Sequence, residues 1–170
     1  MIQCASGTPP GCFIEVGVYK GGSAWHLTKL AKVQERELWL YDTFEGLVDY
    51  TPGVDTLPFG LLNEPDAKLA VVRQTLGPYP RIVQGIFPDS FVPPETGVAF
   101  AHIDVDQYQS TVNTIAALAP HMVPGGVMWF DDTGGGTGGL EGARKAVADS
   151  FTEEAILVDP VTKRWLVVFA

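Results

Sequence analysis

Two acidic clusters stand at the ends of apolar runs in this chain. Val98-Ala99-Phe100-Ala101-His102-Ile103 ends in Asp104-Val105-Asp106, and Val127-Met128-Trp129-Phe130 ends in Asp131-Asp132. Carboxylates crowded at the carboxyl ends of buried strands repel one another and are costly to desolvate. They persist where a cation, a proton or a ligand compensates. Upstream, Phe13-Ile14-Glu15-Val16-Gly17-Val18-Tyr19-Lys20-Gly21-Gly22-Ser23 has the same form, an apolar run breaking into a Gly-rich turn. Together these segments suggest a nucleotide-like cofactor beside a divalent metal.

The residue types fit that chemistry. Glycines at 17, 21 and 22 allow a ligand to approach the backbone closely. Their spacing is not the G-x-G-x-x-G of dinucleotide sites. Asp42 follows Glu15 by 27 residues, and an acidic side chain there can accept the hydroxyls of a ribose. Read singly, a Gly-rich turn only connects two elements, and Asp42 serves equally as a cap or loop residue; as a pair they favour a nucleoside site. Hard divalent cations take oxygen ligands, which Asp104, Asp131 and Asp132 would supply. Either acidic cluster alone is explained by local capping bonds; the two together favour a metal. The three histidines are poor ligands by position, with His102 in a strand, His26 in a helix and His121 in a turn. Lys20 is expected in solvent, with covering a carboxylate as the alternative, and Tyr108 and Trp129 in the core or a pocket wall.

These residues need elements to position them, and local signals alternate between strand and helix. Strands are expected over Cys12–Val16, Glu37–Tyr41, Arg81–Gln84 and Val98–Asp104, with a fifth ending at Asp131 after a turn at Pro124-Gly125-Gly126. Helices are expected over Gly22–Gln34, from an Asp66 N-cap to Leu76, and over Ser110–Ala119 and Leu140–Phe151. Thr43 to Pro65 reads as a long loop, the kind that is usually functional in a compact domain. Thr133 to Gly139, with five glycines, reads as a flexible loop. Residues 155–158 and 164–169 read as a β-hairpin. Five β-then-α units closed by a hairpin imply an α/β fold, a mostly parallel sheet with helices on both faces. Ligands bind such sheets outside the carboxyl ends of the strands. Glu15, Asp42, Gly85, Asp104 and Asp131 each fall at or near such an end.

Bulk properties narrow the field. A chain of 170 residues with 46% apolar and 18% charged residues reads as one globular domain. No apolar run reaches the length of a membrane span. The start lacks a basic region followed by a long apolar stretch, so no secretory signal and a cytoplasmic location are expected. Cys4 and Cys12 fit no zinc spacing and are expected as reduced thiols, a disulfide between them being the alternative. The net charge of −9 argues against a broad nucleic-acid surface.

At this point the residues resemble a known family. Phe13 through Ser23 looks like motif I of class I S-adenosylmethionine-dependent methyltransferases. Tyr41-Asp42-Thr43-Phe44-Glu45-Gly46-Leu47 resembles the D-[ST]-F-x-G-L segment of the macrocin O-methyltransferase family, whose members methylate sugar hydroxyls of macrolide and aminocoumarin antibiotics. Gln84-Gly85-Ile86-Phe87-Pro88-Asp89-Ser90-Phe91 is similar to its G-x-F-x-D-T segment. Ile103-Asp104-Val105-Asp106-Gln107-Tyr108-Gln109-Ser110-Thr111 is similar to its I-D-x-D-x-Y-x-S-T segment, and Pro124-Gly125-Gly126 through Asp131-Asp132 to its P-G-G…D-D segment.

The resemblance implies a Rossmann-like fold with a seven-strand sheet and a terminal hairpin. It implies that Gly17, Gly21 and Ser23 line the methionine part of S-adenosylmethionine, with Glu15 beneath the turn. Asp42 would hold the ribose, and Gly85 and Ile86 would border the adenine. Asp104, Asp131 and Asp132 would hold Mg²⁺ or another divalent cation. The acceptor would be a hydroxyl of a sugar or small natural product. Catechol-type relatives place a lysine base three residues after the first metal ligand; here that residue is Gln107, which cannot usefully accept a proton. In the sugar-methylating relatives a metal-site aspartate is the proposed base, so the resemblance implies Asp104 as both ligand and base, with Asp106 as an outside candidate. The chain opens about a dozen residues before its first strand, where relatives carry additional N-terminal helices. With little or no such cap, the loop after Asp42 or a second copy of the chain is expected to close the site.

Other classes fit these residues less fully. Asp104-x-Asp106 with Asp131-Asp132 also resembles haloacid-dehalogenase-type phosphatases, but Tyr108 stands where they carry Thr or Val. A D-x-D glycosyltransferase leaves Asp131-Asp132 and the first Gly turn unexplained. A domain that binds the cofactor without turnover is the non-catalytic alternative.

Overall fold

The structure, a computed structural model, describes residues 1–134 and 139–170. Its sheet is built on two strands made wholly of buried residues, β1 (Cys12–Val16) and β4 (Val98–Ile103). Runs such as Cys-Phe-Ile-Glu-Val have no polar face to offer water, so they are stable only when covered on both sides. Around them lie β2 (Leu38–Asp42), β3 (Arg81–Gln84), β5 (Met122–Phe130), β6 (Ile156–Val158) and β7 (Trp165–Val168). The order is β3-β2-β1-β4-β5-β7-β6, giving the seven-strand sheet that the resemblance implies. The first five strands pair in parallel, whereas β7 is antiparallel to both β5 and β6.

The helices are α1 (Ile2–Ser6), α2 (Gly22–Val33), α3 (Leu69–Leu76), α4 (Tyr108–Leu118) and α5 (Glu141–Ser150). Side chains alternate across a strand, and the core divides accordingly. Phe13, Phe100, Val127 and Trp129 pack beneath α1, α2 and α3 through Ala5, Leu27, Ala31 and Val72. Ile14, Ala101, Ile103, Met128 and Phe130 pack beneath α4 and α5 through Ile115, Leu118 and Val147. By the same parity, Glu15 and His102 point into the α1–α3 layer.

Several expectations need correction. The stretch between β3 and β4 forms no helix, so four strands rather than five are followed by one. Asp66 does not cap a helix: it sits in a short 3₁₀ turn (Pro65–Ala67), Lys68 is extended, and α3 begins at Leu69. Lys20 is not free in solvent but pairs with Glu64 at 2.5 Å and Asp66 at 3.0 Å. The pairs are exposed and contribute little to stability. Helix α4 begins at Tyr108, because the extended Gln107 ends the turn that follows the acidic cluster. Pro124-Gly125-Gly126 is not a turn before β5 but a kink within it, with Gly125 at φ +79° and a register shift against β4. Of the glycine loop, residues 135–138 lie outside the described residues, and Thr133 bridges Gly139. Both cysteines are free thiols. Among the described residues no helix is long and apolar enough to cross a membrane.

Candidate functional site

The parallel strands all end on one side, and a cleft opens there. Gly17 makes it narrow at its root. A Cβ on Gly17 would overlap the backbone carbonyl of Asp104, so strands β1 and β4 approach each other as only glycine permits. The residue adopts φ +89°, a conformation costly for any side chain. The chain then turns through Tyr19 into α2.

Asp42, at the end of β2, braces that turn. One carboxylate oxygen accepts the amides of Val18 at 2.7 Å and Tyr19 at 2.8 Å, and the other accepts the amide of Phe44 at 2.6 Å. A carboxylate offers about four acceptor sites, so one stays open toward the cleft.

The cleft holds a cavity of about 90 Å³ lined by Gly17, Asp42, Gly85, Phe87, Asp104 and Asp106, among others. Gly46, Leu47, Val48 and Leu62, from the long loop after β2, form its other wall. Typical ligand pockets run from roughly 300 to 1,000 Å³. The space between the strand ends and the loop is thus smaller than a typical ligand pocket.

Gln107 fastens that loop. Its side-chain oxygen accepts the amide of Asp49 at 2.9 Å, and its nitrogen donates to the carbonyl of Leu57 at 3.4 Å. Asp55 accepts the amides of Tyr108 and Thr51, at 2.8 and 2.7 Å, and Ser110 donates to Asp49. Gln107 is thus buried as a clamp, a role its sequence position gives no sign of.

The acidic residues divide into two sets. Asp131 is held by cations: Arg164 donates to its side chain at 2.9 Å and to its carbonyl at 2.7 Å, and His102 lies 3.3 Å away. Burial alone would raise its pKa, but His102 and Arg164 hold it below the usual range. Asp104, Asp106 and Asp132 receive no hydrogen bond or ion pair from a basic side chain among the described residues. Burial, with the neighbouring carboxylates, raises Asp104 well above the usual range, raises Asp132, and pushes Asp106 up to about 7. One oxygen of Asp132 is buried with no hydrogen-bond partner among the described residues. An all-oxygen donor set short of positive charge fits a hard divalent cation. Ligand atoms of His102, Asp104 and Asp131 lie within 4.8 Å of one another. Both nitrogens of His102 are already engaged, one with Glu15 at 2.9 Å and one with Asp131, which leaves the oxygens of the aspartates to hold an ion.

The remaining candidates lie around this centre. Ser23 donates its hydroxyl to Glu15, behind the turn rather than in the cavity. Gly21, at φ +84°, packs against Val72 and Leu76 of α3. Gly85 lines the cavity, whereas Ile86 is 51% exposed on the rim. His102 is buried and hydrogen-bonded, as its place in a strand implies, whereas the sequence gives no sign of Arg164 at this centre. The available signal for His102 was its register: it pairs with Glu15, so two polar residues sit side by side in otherwise apolar strands.

Comparison with known proteins places the chain among methyltransferases. The family model described as Macrocin-O-methyltransferase (TylF) matches residues 3–169. A relative from Streptomyces olivaceus, 8-demethyl-8-(2,3-dimethoxy-alpha-L-rhamnosyl)-tetracenomycin-C 4'-O-methyltransferase, is 29% identical over 155 residues, covering 82% of this chain and 58% of the relative. Demethyldecarbamoylnovobiocin O-methyltransferase of Streptomyces niveus is 29% identical over 140 residues, covering 72% of this chain and 53% of the relative. The chain thus spans a little over half the length of the curated relatives it matches. Among solved structures, the O-methyltransferase NovP superposes with a TM-score of 0.80 at 22% identity, over 99% of this chain and 77% of NovP. The calicheamicin methyltransferase CalS11 gives 0.80 at 21% identity, over 95% and 73%. These likenesses show the class I methyltransferase fold.

Proposed function

The chain belongs to the macrocin O-methyltransferase (TylF) family, and from that premise we propose that it transfers a methyl group from S-adenosylmethionine to a hydroxyl of a sugar or small natural product. The observation that carries the reading is the convergence of Gly17, Asp42, Gly85 and Asp104 on one cleft at the strand ends. The matched O-methyltransferases of glycosylated antibiotics support the acceptor class.

The bound cofactor would supply an electrophilic methyl group. The chain's own residues bind and orient. Gly17 leaves the backbone bare where the cofactor's chain would pass. Asp42 has one acceptor site for a ribose hydroxyl and gains a second only if the Val18–Tyr19 turn releases an amide. Gly85 and Phe87 border the space for the base. The loop wall of Leu47, Val48 and Leu62 excludes water from the reacting atoms once it closes. Asp104 takes the proton of the acceptor hydroxyl, and Asp106, facing the same cleft at φ +61°, is the second candidate. A divalent cation held by Asp104, Asp131 and Asp132 would lower the acceptor's pKa and orient it.

Calorimetric titration of S-adenosylhomocysteine, with and without Mg²⁺, tests the reading. Micromolar-range binding to the wild type is expected. Asp42→Ala should weaken it about 10- to 100-fold, as loss of a charged hydrogen bond of roughly 1.5–3 kcal/mol requires. Absence of heat from the wild type in every condition would sink the proposal. Binding without methyl transfer to any sugar or phenol acceptor would leave a cofactor-binding domain.

A further inference from the structure

One buried polar row runs the width of the site, from the cofactor turn to the hairpin. Ser23, at the start of α2, donates to the Glu15 carboxylate. The same carboxylate oxygen lies 2.9 Å from Nδ1 of His102. Nε2 of that ring lies 3.3 Å from Asp131, whose other oxygen takes Arg164 at 2.9 Å. Glu15 is 0% exposed and His102 is 1% exposed. They sit in the α1–α3 layer with Phe13, Phe100 and Leu27 above and beside them. Polar groups in such a layer are costly unless paired, yet this pairing uses both ring nitrogens and runs from Ser23 at the start of α2 to Arg164 just before β7.

His102 does not line the cavity. It can act only through the groups it holds. Glu15 lies beneath the turn that begins at Gly17, and Asp131 stands next to Asp132 beside Asp104. Each ring nitrogen lies within hydrogen-bond distance of a different carboxylate, one on β1 and one just past β5. We propose that His102 is a positioning residue: its imidazole fixes Glu15 under the cofactor turn and Asp131 beside Asp104, so that a disturbance at either end is felt at the other. The proposal rests on the methyltransferase reading for what the two ends bind, but the bridge itself does not depend on it.

Two measurements decide it. The first needs no ligand. The protein is labelled with ¹⁵N-histidine, and the His102 signals are assigned by His26→Gln and His121→Gln. Glu15→Gln should move the Nδ1 signal and Asp131→Asn the Nε2 signal. A ring signal indifferent to its expected partner overturns the bridge. The second is a double-mutant cycle on S-adenosylhomocysteine affinity, using Asp131→Asn, His102→Phe and the double variant, each checked for a cooperative melt. Asp131→Asn should weaken binding about tenfold in the presence of His102, a loss of about 1.4 kcal/mol. In the His102→Phe background it should change binding less than about twofold on the same scale. Equal effects in both backgrounds overturn the coupling. If the wild type fails to bind the ligand, the functional reading fails and the ring signals still decide the bridge.

Discussion

Replacing Gly17 with alanine gives the sharpest test of how the cleft is built. The new methyl group would overlap the Asp104 carbonyl oxygen and lie 2.6 Å from its carbon. Neither side can yield freely. The Gly17 amide donates to the Tyr41 carbonyl at 2.9 Å, and the Asp104 amide donates to the Val16 carbonyl at 2.9 Å. Strands β1, β2 and β4 are therefore tied together at the point where the methyl group must fit. Two costs add. A side chain at φ +89° costs about 1–2 kcal/mol. Overpacking a rigid site costs about 1–3 kcal/mol. Taking about 3 kcal/mol as the sum, a domain of this size should melt about 6–12 °C lower. Gly22→Ala is the control. Nothing lies within 4 Å of a Cβ there and the residue opens α2, so alanine should be neutral or stabilise by up to about 1 kcal/mol. Melts followed by circular dichroism would separate the two variants. A Gly17→Ala protein that melts within about 2 °C of the wild type would refute the close approach, and with it the shape assigned to the cleft.

Two further outcomes follow from the loop and the thiols. Gln107→Ala removes both clamp bonds from residues 49–57 at a cost of about 1–3 kcal/mol; chymotrypsin should then cut near the exposed Tyr50 and Phe59 about tenfold faster, and an unchanged rate would show that the loop is held elsewhere. Burial pushes the Cys12 thiol up to about 12 and also raises that of the half-buried Cys4. At pH 8 the native protein should therefore react slowly with a thiol-specific disulfide reagent and yield both thiols only when denatured; two fast equivalents in the native state would contradict the burial of Cys12.

The sheet was legible because its strands carry unmistakable signals. Cys12–Val16 and Val98–Ile103 are continuous apolar runs, and each parallel strand ends at a charged or glycine residue. That regularity also located Gly17, Asp42, Gly85 and Asp104 on one edge. What remained hidden depends on pairings distant in sequence. The partners of His102 are 87 and 29 residues away, so its burial is legible but what it bonds is not. Arg164 lay in a hairpin with no local mark of its target. The kink at Gly125 arises from a register shift against β4, which only the pairing of the strands discloses. Asp66 has the chemistry of a cap, but Pro65 and the extended Lys68 place the helix start beyond it.

The reversed direction of β7 also sets the order in which the site becomes electrically complete. Because β7 runs against β5, its leading end meets the finishing end of β5, and Arg164 arrives beside Asp131. On a ribosome Asp131 emerges first, and its guanidinium partner follows 33 residues later. At 5–20 residues per second that interval is roughly 2–7 s. Until the hairpin arrives, Asp131 has His102 alone as its basic partner among the described residues. The hairpin is therefore the last element to reach this carboxylate.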